Sequence, residues 1–337
     1  MNTRQELTTG LALLLTAGLT GAAEPPKMKM TTEIPEGLMT PDKVESRIGP
    51  MTLKDGVPDK ATTDAIYDYM DFHNGVQSFM SGVQIASMSA IREGTLAFGP
   101  ANQTVLIFEE LMDSKAIWLT ANTTSVYNAC WLEMSDEPMV LGTPPDVLGI
   151  IDDHWFKYVG DFGRLGKDKG KGGKFLILPP GYEGKVPEGY TDVMKSNTYG
   201  NWILWRGFQA DGSTKAAVEA TKKHFKVYPL SKKDNPPKMN FINASGKEHN
   251  TTHRMDFEVY EEINRVVQAE PSIGQSPEIL GTFAAIGIKK GQPFKPDARL
   301  KKTLIDAANV GAVSVRAIIA KPRNKDFYLY PGKSTVW

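Results

Sequence analysis

Apolar residues recur along the chain first at helical spacing, then at strand spacing, then at helical spacing again. After Thr62-Thr63-Asp64, an N-cap cluster, Ile66, Tyr69, Met70 and His73 fall on one helical face. A second amphipathic stretch runs from about Gly75 to Arg92, and Val105, Phe108 and Met112 predict a third helix across Ala101–Lys115. From Ala116 the texture changes. Residues 117–121, Val126–Met134, Met139–Leu141, His154–Val159, Phe175–Leu178 and Asn201–Phe208 are short runs rich in β-branched and aromatic residues. Asn122, Asp136, Pro144-Pro145, Gly170–Gly173 and Pro179-Pro180-Gly181 separate them, which predicts an antiparallel sheet folded as a sandwich or partial barrel. No helices interleave these strands, so a doubly wound nucleotide-binding sheet is excluded.

The helical period returns over Thr214–Phe225, Asp256–Glu270, Ser276–Ile288 and Pro296 to about Ile319. Pro277 and Pro296 stand at first helical turns, where the missing N–H has no helical partner to lose. The predicted class is α+β: N-terminal helices, a central antiparallel β-sandwich-like sheet, then a mainly helical C-terminal segment. The expected division is a signal peptide at 1–23, an extended segment at 24–62, an α+β domain at 63–230 and a mainly helical connector at 231–337.

The signal-peptide expectation rests on Arg4, the apolar stretch Leu7–Ala23 and the small residues Thr20-Gly21-Ala22-Ala23 before Glu24-Pro25-Pro26. The stretch is short for a membrane span and has no basic flank after it, so no span is expected once it is removed. The resulting expectation is a periplasmic or secreted protein.

Composition narrows the chemistry by exclusion. Among 337 residues, 39 Lys and Arg balance 39 Asp and Glu, which removes the general argument for a nucleic-acid binder. The balance is uneven along the chain: Lys289–Lys333 holds 11 basic residues against Asp297, Asp306 and Asp326. The preceding acidic stretch, Thr252–Leu280, predicts neighbouring helices with complementary solvated faces. A single cysteine, Cys130, excludes a disulfide framework and paired-cysteine zinc sites; its apolar surroundings predict a buried, inert thiol. No dinucleotide, phosphate-loop, nucleophile-elbow or zinc-protease motif is present, so no cofactor and no metal is expected. His249 and His253 are four apart, but Asn250-Thr251-Thr252 between them is poor helix sequence and reads as a solvated loop.

Two features carry candidate chemistry. Asn122-Thr123-Thr124-Ser125 sets four polar side chains between apolar strands, either to meet a ligand or to hydrogen-bond their own backbone as an Asx turn. Tyr127, Trp131, Trp155, Trp202 and Trp205 concentrate aromatic side chains in the sheet region, either as core or as the lining of a ligand cleft. Asp161 and Arg206 would supply charge to such a cleft, or pair with each other. The candidate ligand-binding set is therefore Asn122, Thr123, Tyr127, Trp131, Trp155, Asp161 and Arg206.

The order of motifs resembles a bacterial family known as domain of unknown function 1254. The residues concerned are Ala121–Tyr127, Trp131-Leu132-Glu133, Glu137–Leu141, Asp153–Phe156 with Asp161-Phe162-Gly163, and Lys174–Tyr182. They continue through Asn201–Arg206 and Val227–Leu230 to Glu262–Val267, Gly287–Phe294 and Tyr330–Lys333, spanning roughly residues 67 to 337. The resemblance implies an exported, soluble α+β protein, usually followed by a second β-rich domain of unknown function 1214 that is missing or truncated here. It leaves a homo-oligomer or a separate β-domain partner as options, and it carries over no established catalytic residue. The leading expectation is a protein that binds a small or polymeric ligand in the aromatic-lined β region. A hydrolase-type enzyme using Asp161 and the Asn122 turn, and an interaction module completed by a partner domain, are the alternatives.

Overall fold

The computed structural model describes residues 33–324 and 326. The signal-peptide expectation and Tyr330–Lys333 lie outside the described residues. The chain divides between Thr62 and Thr63 into two compact units. In the first, β1 (Lys43–Ser46), β2 (Gly49–Lys54) and β3 (Val57–Pro58) form an antiparallel meander.

Helix α1 covers Lys60–Leu96 as one element, where two helices were expected. It starts before the expected cap, because Asp59 Oδ1 accepts the Thr62 N–H at 2.8 Å. Gly75, where the second stretch is expected to begin, is a contact point with the C-terminal helix, since a Cβ there would stand 2.7 Å from Ala307 Cβ. Close packing thus explains the glycine that helix propensity alone disfavours.

The third expected helix is absent. Thr104–Ile107 is strand β4, buried at all four positions and paired with two other strands. Helical spacing of Val105, Phe108 and Met112 was real but lost to non-local pairing of a β-branched run.

The strands that follow are β5 (Ala116–Ile117), β6 (Val126–Glu133), β7 (Met139–Gly142), β8 (Val147–Asp153), β9 (Tyr158–Gly163), β10 (Lys174–Leu178), β11 (Asp192–Lys195) and β12 (Gly200–Gly207). Helix α2 (Lys215–His224) leads into β13 (Lys226–Pro229), β14 (Asn240–Asn243) and β15 (His249–Asn250). Residues 154–157, expected within a strand, form the turn between β8 and β9. Three helices close the described chain: α3 (Glu258–Ala269), α4 (Pro277–Ala285) and α5 (Ala298–Ala320).

A six-stranded sheet runs β14-β4-β6-β12-β8-β9 and a four-stranded sheet runs β11-β10-β7-β13. Most pairs are antiparallel, with parallel additions at β14–β4 and β10–β11. Alternation along β6 assigns the faces. Val126, Cys130 and Leu132 join Phe175, Ile177 and Val227 of the smaller sheet in one core, so the two sheets form a sandwich. Tyr127, Ala129 and Trp131 point the other way, onto Met88 and Ile91 of α1. The opposite side of α1, through Phe79, Ile85 and Ala86, packs on Tyr260, Ile263, Phe283 and Leu304 of α3, α4 and α5. The protein is mixed helix and sheet, with its helical C-terminal segment layered on α1. The basic segment's best-defined pairing is with α1: Arg299 contacts Asp68 at 2.5 Å and Asp71 at 2.7 Å.

Candidate functional site

The turn between β8 and β9 is built around Asp153. Its Oδ1 accepts the N–H groups of Trp155 (2.9 Å) and Lys157 (2.8 Å), and Phe156 takes a left-handed φ of 63°. The His154 N–H donates to Thr198 Oγ1 at 2.8 Å. These bonds fix the backbone on both sides of His154, a side chain only 3% exposed.

His154 Nδ1 lies 2.6 Å from Oε1 of Glu270, itself 2% exposed. Glu270 sits at the C-terminal end of α3, and its carboxylate also accepts the Tyr199 N–H (2.6 Å) and the Gly200 N–H (3.0 Å). With both oxygens already receiving backbone donors, the carboxylate acts as an acceptor and the imidazole proton belongs on Nδ1. A side chain at Gly200 would collide with this pair: its Cβ would stand 2.7 Å from His154 Nδ1 and 3.0 Å from Glu270 Oε1. Trp131 holds the imidazole edge-to-face at 4.9 Å between ring centres.

His154 Nε2 is buried without a hydrogen-bond partner. The residue lines a cavity of about 130 Å³ together with Ser89, Arg92, Glu93, Glu133 and Arg265. Two ion pairs complete the wall: Arg92 Nη2 to Glu133 Oε2 at 3.1 Å and Arg265 Nε to Glu93 Oε1 at 2.9 Å. Trp131 Nε1 donates to Glu133 Oε2 (3.2 Å), and Arg265 Nε reaches Ser89 Oγ (3.4 Å). One turn before Arg265 on α3, burial pushes the Glu262 carboxyl up to about 7 although it accepts the Arg254 N–H.

The candidate residues from sequence fall into separate places. Asn122 Oδ1 accepts from the backbone N–H and hydroxyl of both Thr124 and Ser125, at 2.9 to 3.1 Å, so the Asx turn consumes it; Thr123 is exposed. Tyr127 and Arg206 are brought together as cross-strand partners, with the guanidinium 5.5 Å from the ring centre. Asp161 lies on the same sheet face but two strands from Arg206, and it accepts the Tyr158 hydroxyl at 2.9 Å. Trp155 is buried in the helical core. Trp131 is the member of the set that packs on the His154 ring and donates to Glu133 of the cavity wall.

Trp202 and Trp205 face opposite sides of β12, in different cores. His249 packs among Phe98, Phe108 and Trp118, whereas His253 is half-buried with its Nδ1 against the Arg254 carbonyl, so the two have different surroundings. His154 and Glu270 are 116 residues apart. The Asp-His-Trp run was visible in the sequence, but nothing local pointed from it to Glu270.

These features define a class: an α+β protein whose β sandwich and helical layer hold a buried histidine–carboxylate pair beneath a small charged cavity. Within it, residues 102–229 match the family model described as protein of unknown function (DUF1254), which agrees with the resemblance read from the motifs. The fold is similar to that of the VPA0106 protein from Vibrio parahaemolyticus, with a TM-score of 0.54 at 16% identity. That match covers 76% of this chain and 60% of the Vibrio chain, so this chain spans less than two thirds of that relative's length. An uncharacterized protein from Burkholderia cenocepacia also matches at 11% identity over 53% of each chain, but its TM-score of 0.26 carries no structural argument. No curated protein matches the chain.

Proposed function

We propose that this is an exported protein that binds a small polar molecule in the cavity over His154. The observation that carries the reading is the mixed-charge cavity that His154 lines together with Ser89 and the Arg92–Glu133 and Arg265–Glu93 pairs. Polar groups already gathered at a cavity wall let a small polar ligand form hydrogen bonds at little cost in ordering the protein. Export is supported by the sequence at Arg4 and Leu7–Ala23. The ligand site moves from the Asn122–Asp161–Arg206 region to His154, because those three groups already have other partners or lie apart.

A catalytic reading attaches to the same pair. A histidine oriented through Nδ1 by a carboxylate has the arrangement of a general base, and this favours His154 over Asp161 if the chain is a hydrolase. A partner-domain reading is supported by α5, which is long and apolar enough to span a membrane. It buries Leu304, Ala307, Ala308 and Ala312, but leaves Val313, Ile318 and Ile319 exposed towards its end.

The test is titration of the full chain with small polar molecules, followed by tryptophan fluorescence. Trp131 packs directly on His154, so occupancy is expected to shift its emission, and His154→Gln to abolish that shift. Ligands that bind the variant as well as the parent would place the site elsewhere.

A further inference from the structure

We propose that the loop between β9 and β10, residues 164–173, is a docking surface for a membrane rich in anionic phospholipid. It shares no residue with the His154 cavity and stands apart from the binding reading.

The loop is cationic, and its cations lie at the surface. Arg164, Lys167, Lys169, Lys171 and, at the start of β10, Lys174 are all exposed. Asp168, the one acid in this stretch, is only 5% exposed, and its Oδ1 accepts the Gly163 N–H at 2.8 Å. It braces the loop from inside rather than pairing with the lysines. Asp146 pairs with Arg164 at 2.7 Å and Asp192 with Lys167 at 2.5 Å. Lys169, Lys171 and Lys174 have no ion-pair partner among the described residues.

Sheet register adds a further cation. Lys174 of β10 and Lys226 of β13 both stand opposite Gly142 of β7, so their side chains leave the same face. Phe175 and Val227, the next residue on each strand, lie in the sandwich core, which makes that face the outer one. Lys226 is exposed and likewise has no ion-pair partner among the described residues.

The backbone holds these charges close together. The Gly163 carbonyl accepts the N–H groups of Gly166 (3.0 Å) and Gly170 (2.9 Å), and the Gly170 carbonyl accepts the Asp146 N–H at 2.9 Å. Thr143 N–H donates to the Gly173 carbonyl at 2.9 Å, and the Gly173 N–H returns a bond to Thr143 Oγ1 at 3.0 Å. A loosely held loop would spread its lysines through solvent. This one presents them together, against a mutual repulsion that a dense field of anions relieves.

Leu165 selects a bilayer over a soluble polyanion. It is 71% exposed and sits inside the cationic loop, next to Arg164. A layer of phosphate headgroups above acyl chains takes up cations and an apolar side chain together. A soluble acidic polymer offers the lysines partners but leaves Leu165 in water.

The experiment is flotation of the full chain with vesicles of phosphatidylcholine alone, and with vesicles of phosphatidylcholine and phosphatidylglycerol in equal parts. Each lysine near an anionic surface is worth about fivefold in binding, so three give about a hundredfold. Binding to the anionic vesicles is expected to be tighter by about that factor at low salt, and to fade as salt is added. The triple change Lys169→Gln, Lys171→Gln and Lys174→Gln is expected to weaken anionic binding by about a hundredfold, and Leu165→Ser by about tenfold. All four positions are exposed, so both variants should keep the parent's thermal midpoint. Residues 7–23 and α5 are common to parent and variants, so any binding they contribute does not produce these losses. Equal binding of both vesicle types would overturn the proposal, as would anionic binding that the triple variant retains in full. Binding weakened by the triple change but untouched by Leu165→Ser would overturn it in favour of a soluble acidic polymer. None of these outcomes bears on the His154 cavity.

Discussion

Glu270→Ala would remove the acceptor of three donors at once: His154 Nδ1, Tyr199 N and Gly200 N, at 2.6, 2.6 and 3.0 Å. The carboxylate is 2% exposed, so bulk water does not replace it directly. Leaving a buried donor unpaired costs ~1–3 kcal/mol, which for three donors sums to ~3–9 kcal/mol before relaxation. Two effects reduce that sum. The vacated space is polar enough to admit water that satisfies some donors, and the desolvation cost of the native carboxylate is relieved. We therefore expect a net loss of ~4 kcal/mol, and about half that for Glu270→Gln, whose amide keeps one acceptor oxygen but turns its NH₂ toward other donors. Urea unfolding followed in parallel by tryptophan fluorescence and far-ultraviolet circular dichroism measures it as a shift in midpoint at constant slope. A loss under ~1 kcal/mol for Glu270→Ala would refute the reasoning, because it would mean that the three donors are readily rehydrated and the pair does not brace the turn.

Glycine positions should separate by sign. Gly311→Ala puts a Cβ 2.6 Å from Cγ of the fully buried Phe79, so overpacking of ~1–3 kcal/mol outweighs the helix-propensity gain of ~1 kcal/mol and Tm falls. At exposed Gly281 of α4 nothing lies within 4 Å, so alanine is expected to raise Tm; equal signs would contradict the packing of α5 on α1. Stability should also fall as pH rises from about 4.5 to about 7. Burial raises the folded pKa of Glu262 to about 7, and burial followed by Asp153 and Asp161 raises that of Asp152 to about 6, so the folded state holds these protons longer than the unfolded chain. Glu262→Gln is expected to flatten that slope and to add ~2 kcal/mol at pH 8; an unchanged pH profile in denaturant titrations would count against it. Cys130, buried and with its thiol pushed up to about 12, should resist a chromogenic disulfide reagent in the native protein and react stoichiometrically in denaturant.

Local pattern alone determined much of this protein. Strands β6 and β12 carry alternating or continuous apolar and aromatic runs bounded by turn residues, and the helical stretches α2 to α5 have their periods, with Asp297 and Ser276 capping two of them through side-chain bonds. The buried cysteine and the Asx turn at Asn122 were equally local, since each depends on residues within a few positions. Tertiary structure decided the rest. It made α1 continuous through Gly75, because a neighbouring helix occupies the space that any side chain would need. It turned Thr104–Ile107 into a strand, because β6 and β14 supplied hydrogen-bond partners that a local helix would have had to match. It separated Asp161 from Arg206 and joined His154 to Glu270, since a pair 116 residues apart is set by which layers stack, and no spacing rule encodes that.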